Sequence, residues 1–313
     1  MSDSTADAQL AQADAIHDDE PERALALLRN IDASALSASR RPRLAFLLDH
    51  VLGEKFELWG ETLAEQRALV RLAGEPVPAP ILRHAAIAAG LAGDAAQAQA
   101  WTQALADGSG APLAKAQTLV ALGATGLGVA RLSAGDAGRA VLHALAPLES
   151  LHADAADDLD AAFAAVTNNL ASDLLERPLE DLTDDALCAA LQSTAAHSQR
   201  FWDRAGTWLN RERAHYLCTM AANALGDGRT GARQAAAGLA LLDEHDAAGD
   251  ENVDRAFLEM ELAMALRLSG SDGVADALAR ALALATRFDN KELDRWFARR
   301  QTRNEALAQH YGR

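Results

Sequence analysis

The sequence is poor in the residues that build β-sheets and large aromatic cores. Of its 313 residues only 13 are isoleucine or valine and only 14 are aromatic, whereas 74 are alanine and 48 are leucine. β-Branched residues favour strands, and alanine and leucine are strong helix formers. The composition therefore excludes a sheet-rich fold and predicts an all-α protein in which abundant alanine lets helices approach closely.

Cysteine and long apolar runs are also scarce. The two cysteines, Cys188 and Cys218, cannot build a disulfide framework, and free thiols suit a reducing compartment. No run of about 18 uninterrupted apolar residues is present, so no membrane span is predicted. The polar, acidic start lacks the basic and apolar regions of a signal peptide. We therefore expect a cytoplasmic protein.

Positive charge is in deficit. The formal net charge is −16, and only three of the 29 basic residues are lysines. This balance disfavours non-specific binding to nucleic acids and anionic membranes, so neither is expected as a partner. The acidic excess is greatest over residues 149–185, where eleven carboxylates accompany a single base, Arg177. Such a stretch is typical of a solvated face, and it also suits the steering of a basic partner segment.

The common catalytic motifs are missing. No lysine follows a glycine, which excludes a Walker A loop, and HExxH, GxSxG and CxxC are absent. The glycines at 123, 126 and 128 lie in an apolar helical run without a preceding strand, which favours close packing over a dinucleotide site.

Potential ligand and catalytic side chains are sparse. His215 and Cys218 share a helix face, but two side chains do not make a zinc site. We expect no catalytic residue, no cofactor and no metal, and we interpret the chain as a non-enzyme. Convergence of Glu212, His215 and Asp173 in one pocket would instead favour an enzyme.

The sequence does contain a recurring turn between Ala/Leu-rich runs. Its copies are Gly93-Asp94, Gly135-Asp136, Gly226-Asp227 and Gly270-Ser271-Asp272. The first two copies are 42 residues apart and the last two are 44 apart. A period in this range is typical of stacked helical hairpins.

Apolar spacing, helix caps and Gly/Pro breaks predict a solenoid of about seven antiparallel helical hairpins and a C-terminal capping helix. The predicted pairs are 4–17 with 21–32, 41–53 with 59–73, 79–92 with 94–107, 112–134 with 136–150, 155–176 with 183–200, 203–225 with 229–245, and 251–269 with 272–287, followed by a helix over 289–309. The proline-rich segment 75–80 is incompatible with helix. We expect N-terminal hairpins over 1–75 and repeats over 79–313, or one continuous solenoid.

Small residues recur seven positions before and five positions after each turn glycine, where two helices would approach closely. The pairs are Ala86/Ala98, Gly128/Ala140, Thr219/Gly231 and Ala263/Ala275. With its Gly-Asp turns the chain resembles the tetratricopeptide repeat family. The resemblance is best from Leu91-Ala-Gly-Asp94 through Ala104-Leu105 and from Leu132-Ser-Ala-Gly-Asp136 through Leu148.

The chain also departs from that family. The later helices exceed the family repeat of about 34 residues, and most first-helix aromatic residues and closing prolines are missing. The resemblance implies a right-handed superhelix whose concave surface, lined by the first helix of each hairpin, binds a peptide or a partner protein.

The densest cluster of residues typical of binding sites spans residues 200–216. On one continuous helix, Arg204, Trp208, Arg211 and His215 would form a single stripe. Tryptophan and arginine dominate binding hot spots, and arginine forks hold carboxylates or phosphates. The alternative is that the tryptophans fill the core and the arginines pair with nearby acids.

Alignment of the last two hairpins by their turns adds positions that face the groove in the family pattern. These are Arg213, Tyr216, Met220 and Asn223 in one hairpin, and Phe257, Met260, Met264 and Arg267 in the next. Methionines suit adaptable surfaces but also fill gaps in cores.

The full set of candidate partner-binding residues combines these two signals with one amide on an earlier hairpin. The candidates are Asn169, Arg204, Trp208, Arg211, Tyr216, Met220, Asn223, Met260, Met264 and Arg267. The amide of Asn169 suits clamping a peptide backbone, or bridging helices. We expect a scaffold or adaptor that binds a protein or peptide. The alternative is a regulator that senses a small anionic signal in the same groove.

Overall fold

The computed structural model describes residues 5–149 and 157–312. Within these ranges the chain forms helices and no strand, and successive helices pack as neighbours, which confirms the all-α prediction. No helix in the described ranges is both long and apolar enough to cross a bilayer. Position 4, position 150 and positions 155–156, at the ends of three predicted helices, lie outside the described residues.

The chain divides into two compact units, and the first comprises residues 1–131 and 144–159. Its helices are α1 (Thr5–Ile16), α2 (Pro21–Leu28), α3 (Arg41–Leu47) continued by a π-helical segment (Leu48–Lys55), α4 (Trp59–Ala73), α5 (Ala79–Leu91), α6 (Ala95–Ser109) and α7 (Leu113–Val129). α1 packs on α2, the π-helical segment on α4, and α5 on α6, as the first three predicted hairpins require. α4 and α5 also pack together. The predicted domain division at residues 75–79 stays a prediction.

The second unit comprises residues 132–143 and 160–313. Its helices are most of α8 (Ala134–Leu145), then α9 (Asp160–Leu175), α10 (Asp185–Ala205), α11 (Trp208–Ala224), α12 (Gly228–His245), α13 (Asn252–Ser269), α14 (Val274–Ala285) and α15 (Lys291–His310). α9 packs on α10, α11 on α12 and α13 on α14, as predicted, and α15 packs on α13. The predicted pairing of 112–134 with 136–150 spans the two units and stays a prediction.

Two local features of the repeated Gly-Asp turn end one helix and begin the next. Gly93, Gly226 and Gly270 end their helices with φ of 83°, 75° and 66°, a left-handed conformation that glycine adopts without steric cost. Asp94 and Asp227 then cap the next helix, each accepting a backbone N–H three residues further on at 3.1 and 3.0 Å. The sequence period therefore marks real helix ends at these three places.

The turn predicted at Gly135-Asp136 is wrong. Gly135 lies within the first turn of α8, which begins at Ala134. The Oγ of Ser133 accepts the N–H of Asp136 at 3.3 Å, so the hydroxyl supplies the N-terminal cap. The helix break therefore falls before the Gly-Asp pair.

Close helix approach at a predicted small position is confirmed at Gly231 of α12. A β-carbon on Gly231 would lie 2.6 Å from Oδ1 of Asn223 and 3.1 Å from Cβ of Ala265. A side chain there would require Asn223 or Ala265 to shift, so glycine suits this close packing of α12 against α11 and α13.

A buried charge ties three helices of the second unit together. Glu261 of α13 is fully buried. It accepts hydrogen bonds from Arg300 Nε at 2.6 Å and Asn304 Nδ2 at 2.9 Å, both on α15, and from Asn223 Nδ2 of α11 at 2.8 Å. Burial acts to raise the pKa of Glu261, but the charge of Arg300 and these hydrogen bonds outweigh it and lower the pKa. Glu261 therefore stays ionised and links α11, α13 and α15.

Removal of the arginine should destabilise the protein strongly. Arg300→Ala leaves Glu261 as an unpaired buried charge, so we expect a loss of about 3–5 kcal/mol in unfolding free energy. Arg295→Ala is the matched control, because this side chain on the same helix is 73% exposed, and its effect should stay within about 0.5 kcal/mol. Urea unfolding followed by far-UV circular dichroism measures both.

Because folding lowers the pKa of Glu261, the unfolding free energy should depend on pH. The stabilising contribution of Glu261 is present above the ordinary value of 4.5 and is lost as pH falls below it. Equal stability of the Arg300→Ala and Arg295→Ala proteins at pH 7 would contradict the role assigned to the network.

Candidate functional site

The predicted stripe of Arg204, Trp208, Arg211 and His215 does not form, because the helix breaks within it. α10 ends before Gly206, whose backbone is extended, and α11 begins at Trp208. A capping box causes the break: Thr207 Oγ1 accepts the N–H of Asn210, and Asn210 Oδ1 accepts the N–H of Thr207 at 3.0 Å. Arg204 therefore lies on a different helix from the other three.

Arg204 pairs with a buried acid. Its guanidinium lies 2.9 Å from Oδ2 of Asp160, which is fully buried, and 5.8 Å from the ring centroid of Phe201. A cation in this position neutralises a carboxylate that solvent does not reach. The structure thus favours the alternative in which this arginine supports the packing of α9 and α10.

Trp208 and Arg211 lie on the first turn of α11. The indole of Trp208 stacks on His245 with ring centroids 5.3 Å apart and packs against Leu242 and Leu258. Arg211 is half-buried, and its Nε has no hydrogen-bond partner among the described residues. Trp208 contributes to the core between α11, α12 and α13.

Four other candidates have distinct placements. Asn223 is fully buried in the Glu261 network, and Met260 and Met264 are buried in apolar clusters. Arg267 lines a small cavity of about 60 Å³ together with both methionines. The assignment of these four residues to partner binding stays a prediction. Their burial, or their place beside a small cavity, does not support it.

A larger groove opens between α9, α11, α13 and α15, with a cavity volume of about 620 Å³. Its polar lining consists of Asn168, Ser172, Glu212, Arg213, Glu251 and Asp254. Its apolar lining consists of Tyr216, Leu217, Met220, Val253, Phe257 and Trp296. Two of the sequence candidates, Tyr216 and Met220, therefore lie in the groove. Asn169 is exposed, and its neighbour Asn168 lines the groove instead.

Three carboxyl groups cluster on one side of this groove. The side chain of Glu212 is fully buried, and neither of its carboxyl oxygens has a hydrogen-bond partner among the described residues. Burial, followed by the charge of Asp254, raises the pKa of Glu212 to about 8. Burial and Asp254 also raise the pKa of Glu251. Glu212 therefore keeps its proton at pH 7.

A single arginine in the lining offsets part of this charge. Arg213 Nε donates to Asp254 Oδ2 at 2.8 Å, and its guanidinium lies 3.8 Å from Glu251. Since the groove lining holds three acids and one base, one negative charge remains while Glu212 is protonated, and two remain once Glu212 ionises.

Aromatic rings form another part of the groove lining. Phe257 lies 4.7 Å from Trp296 and 6.2 Å from Tyr216 between ring centroids. Trp296 is 48% exposed, so a large part of its face is open to a ligand. Aromatic faces attract cations, and the attraction is larger where water is excluded.

The groove combines a carboxyl cluster with an aromatic wall, an arrangement that suits a cationic side chain. Sequence reasoning did not include Glu212, Asp254 or Trp296 among the binding candidates. Glu212 and Asp254 are 42 residues apart, on the two helices that were aligned by their turns. That alignment identifies positions that are equivalent in the two helices, but it does not identify residues of one helix that contact residues of the other. Trp296 lies on the helix interpreted only as a cap.

The convergence that would favour an enzyme does not form. Glu212 lines the groove, whereas His215 and Asp173 do not. His215 Nδ1 lies 3.0 Å from Gln199 and 2.6 Å from Gln234, on another face of α11.

Comparison with known proteins identifies neither a family nor a relative. A scan against protein-family models gives no match, and a search of curated proteins gives none. Membership of the tetratricopeptide repeat family therefore stays a prediction based on the turns and small positions.

The raised pKa of Glu212 predicts a pH-dependent stability. The folded protein binds this proton more tightly than the unfolded chain, so the contribution is present below about 4.5 and is lost as pH rises through about 8. Glu212→Gln keeps the shape without the charge. We expect it to exceed the wild type at pH 9 by at least about 1 kcal/mol, or about 2–4 °C in Tm.

Thermal melts at pH 6 and pH 9 measure this effect. Asp272→Asn, a change at an exposed acid outside the groove, is the control and should give no pH-dependent gain. A Glu212→Gln gain that is the same at both pH values would show that the carboxyl is not protonated in the folded state.

Proposed function

We propose that the chain is a non-catalytic, tetratricopeptide-like binding module that holds a segment of a partner protein. The site is the groove between α9, α11, α13 and α15, and the segment presents an arginine or lysine beside an apolar residue. The observation that carries this proposal is the presence of the carboxyl groups of Glu212, Glu251 and Asp254 in the same groove lining as Trp296 and Phe257.

Charge complementarity supports a basic partner. The carboxylates of Glu251 and Asp254 exceed the single positive charge of Arg213 in the lining. A second cation from a partner completes the neutralisation, and fork-shaped hydrogen bonds from a guanidinium fit carboxylates closely. The same excess opposes an anionic ligand, so the alternative of a sensor for a small anionic signal gains no support here.

The aromatic wall supports a peptide segment with an apolar neighbour. The cavity volume of about 620 Å³ lies within the range of about 300–1,000 Å³ for sites that enclose small ligands or side chains. Trp296, Val253 and Met220 offer apolar surface beside the acids. Tryptophan is one of the residues enriched among the hot spots of protein interfaces.

Free thiols are compatible with a cytoplasmic place for this interaction. Cys188 and Cys218 form no disulfide. Burial raises the pKa of the Cys218 thiol to about 12, which leaves it protonated and unreactive at neutral pH. The cytoplasmic location is part of the proposal.

Two synthetic peptides test the binding site. Both are eight residues long and fluorescein-labelled; one alternates arginine with leucine and the other alternates glutamate with leucine. By fluorescence anisotropy the arginine peptide should bind saturably, and its affinity should fall as salt is raised. Trp296→Ala should weaken binding by about tenfold or more.

Matched controls distinguish binding in the groove from non-specific binding of the peptide. Leu282→Ala removes an exposed leucine of α14 that does not line the groove, and it should bind as the wild type does. Equal binding of both peptides, or full binding by the Trp296→Ala protein, would refute the proposed site. Mass spectrometry of lysate proteins retained by the wild type and lost with Trp296→Ala then identifies the partner.

Binding of a cation should release a proton. A bound guanidinium lowers the pKa of Glu212 from its value of about 8 in the free protein, so affinity should rise as pH increases toward 8. Calorimetry at pH 7 in phosphate and in Tris buffer measures the released proton from the difference in enthalpy. The Glu212→Gln protein should show no such difference; a difference equal to that of the wild type would exclude Glu212 as the source.

A further inference from the structure

A second cluster of chemically active side chains lies in the first unit, where the end of α1 meets the π-helical segment. His17 and Asp18 directly follow α1, and His50 lies in the segment Leu48–Lys55. One ligand atom from each of these residues lies within 4.8 Å of the others. π-Helical turns are rare and are frequent at functional sites.

Hydrogen bonds fix the orientation of both imidazole rings. His17 Nδ1 lies 2.5 Å from the backbone oxygen of Asp14, and His50 Nδ1 lies 2.6 Å from Oε2 of Glu54. A carbonyl oxygen and a carboxylate oxygen can only accept, so both Nδ1 atoms carry the hydrogen. Metal-binding histidines are held in this way, with one ring nitrogen donating to an oxygen and the other facing the metal.

The remaining ring nitrogens converge on one carboxylate. His17 Nε2 lies 3.3 Å from Asp18 Oδ2, and His50 Nε2 lies 3.3 Å from Asp18 Oδ1. In the neutral rings these nitrogens carry lone pairs that can coordinate a metal ion, whereas a ring protonated at Nε2 donates to the carboxylate, as in the contact between His50 and Asp18 Oδ1. A metal ion placed among the three groups takes the place of that hydrogen.

The two distances between a ring nitrogen and the Asp18 carboxylate match a metal site. Bonds of about 2.0–2.2 Å in a tetrahedral arrangement place ligand atoms about 3.3 Å apart. Imidazole nitrogens with one carboxylate are ligands suited to Zn²⁺ and its neighbours in the first transition row. The carboxyl side chain of Asp18 is 68% exposed, so an ion can enter from solvent and keep water in its fourth position.

We propose that His17, Asp18 and His50 bind a divalent transition-metal ion of the Zn²⁺ class through the two Nε2 atoms and the Asp18 carboxylate. The ion links the end of α1 to the π-helical segment and so stabilises the first unit. Glu54 orients His50. The Lys55 ammonium, 2.9 Å from Asp18 Oδ1, competes with the ion for the carboxylate.

The test uses the full chain without a histidine tag, stripped with EDTA and titrated with ZnCl₂ at pH 7.5 by calorimetry. We expect one equivalent of Zn²⁺ per chain and a rise in Tm on addition of Zn²⁺. Asp18→Asn and His50→Ala should each weaken binding by at least about tenfold, and Glu54→Gln by about 10–100-fold. Lys55→Met should tighten binding, because it frees the carboxylate.

Controls distinguish the loss of a metal-binding side chain from a folding defect. His143→Ala, at an exposed histidine of α8, should bind Zn²⁺ as the wild type does. His50 stacks on Phe46 with ring centroids 5.5 Å apart, so its variant can lose stability. Asp18→Asn changes a side chain that is 68% exposed and keeps its size, so we expect the fold to be retained.

Two results would overturn the proposal. One is the absence of stoichiometric Zn²⁺ binding by the wild-type protein. The other is Zn²⁺ binding that Asp18→Asn leaves unchanged.

Discussion

The ion pair between Glu261 and Arg300 is the interaction on which the second unit depends. It is buried, and hydrogen bonds from Asn304 and Asn223 complete it, so α11, α13 and α15 are fixed together. The groove lies close by on the same helices. Phe257 is one helical turn before Glu261, and Trp296 is one turn before Arg300. The network that joins the helices therefore also sets the spacing of the aromatic wall.

In the second unit, the way in which an acidic side chain is neutralised depends on how deeply it is buried. Asp160 and Glu261 are fully buried, and each is paired with an arginine. Glu212 is equally buried, but it escapes the cost of an unpaired charge by keeping its proton. Glu251 and Asp254 lie nearer the surface with only Arg213 between them. The unneutralised charge is thus concentrated where a ligand can reach it, which is why a basic segment is the partner that the groove favours.

The fold was largely predictable from the sequence because helix ends depend on local chemistry. A left-handed glycine followed by a capping aspartate, as at Gly93-Asp94, is a short-range signal. The break at Gly206 was predicted too early, between residues 200 and 203, although Thr207 and Asn210 carry a readable capping pattern. The binding sites were harder to predict, because a family pattern predicts which face of a helix lines the groove but not how deeply that face is buried. In alanine-rich helices that approach closely, the faces holding Asn223 and Met260 become core. Opposed pairs such as Glu212 with Asp254, or His17 with His50, depend on long-range packing.

A crystal structure with the arginine–leucine peptide bound would test the central claim most directly. We expect a peptide guanidinium within hydrogen-bonding distance of Glu251 or Asp254, with its side chain against the face of Trp296 and the Glu261–Arg300 pair unchanged. A peptide bound outside this groove, or one whose basic side chains do not contact these carboxylates, would contradict the account.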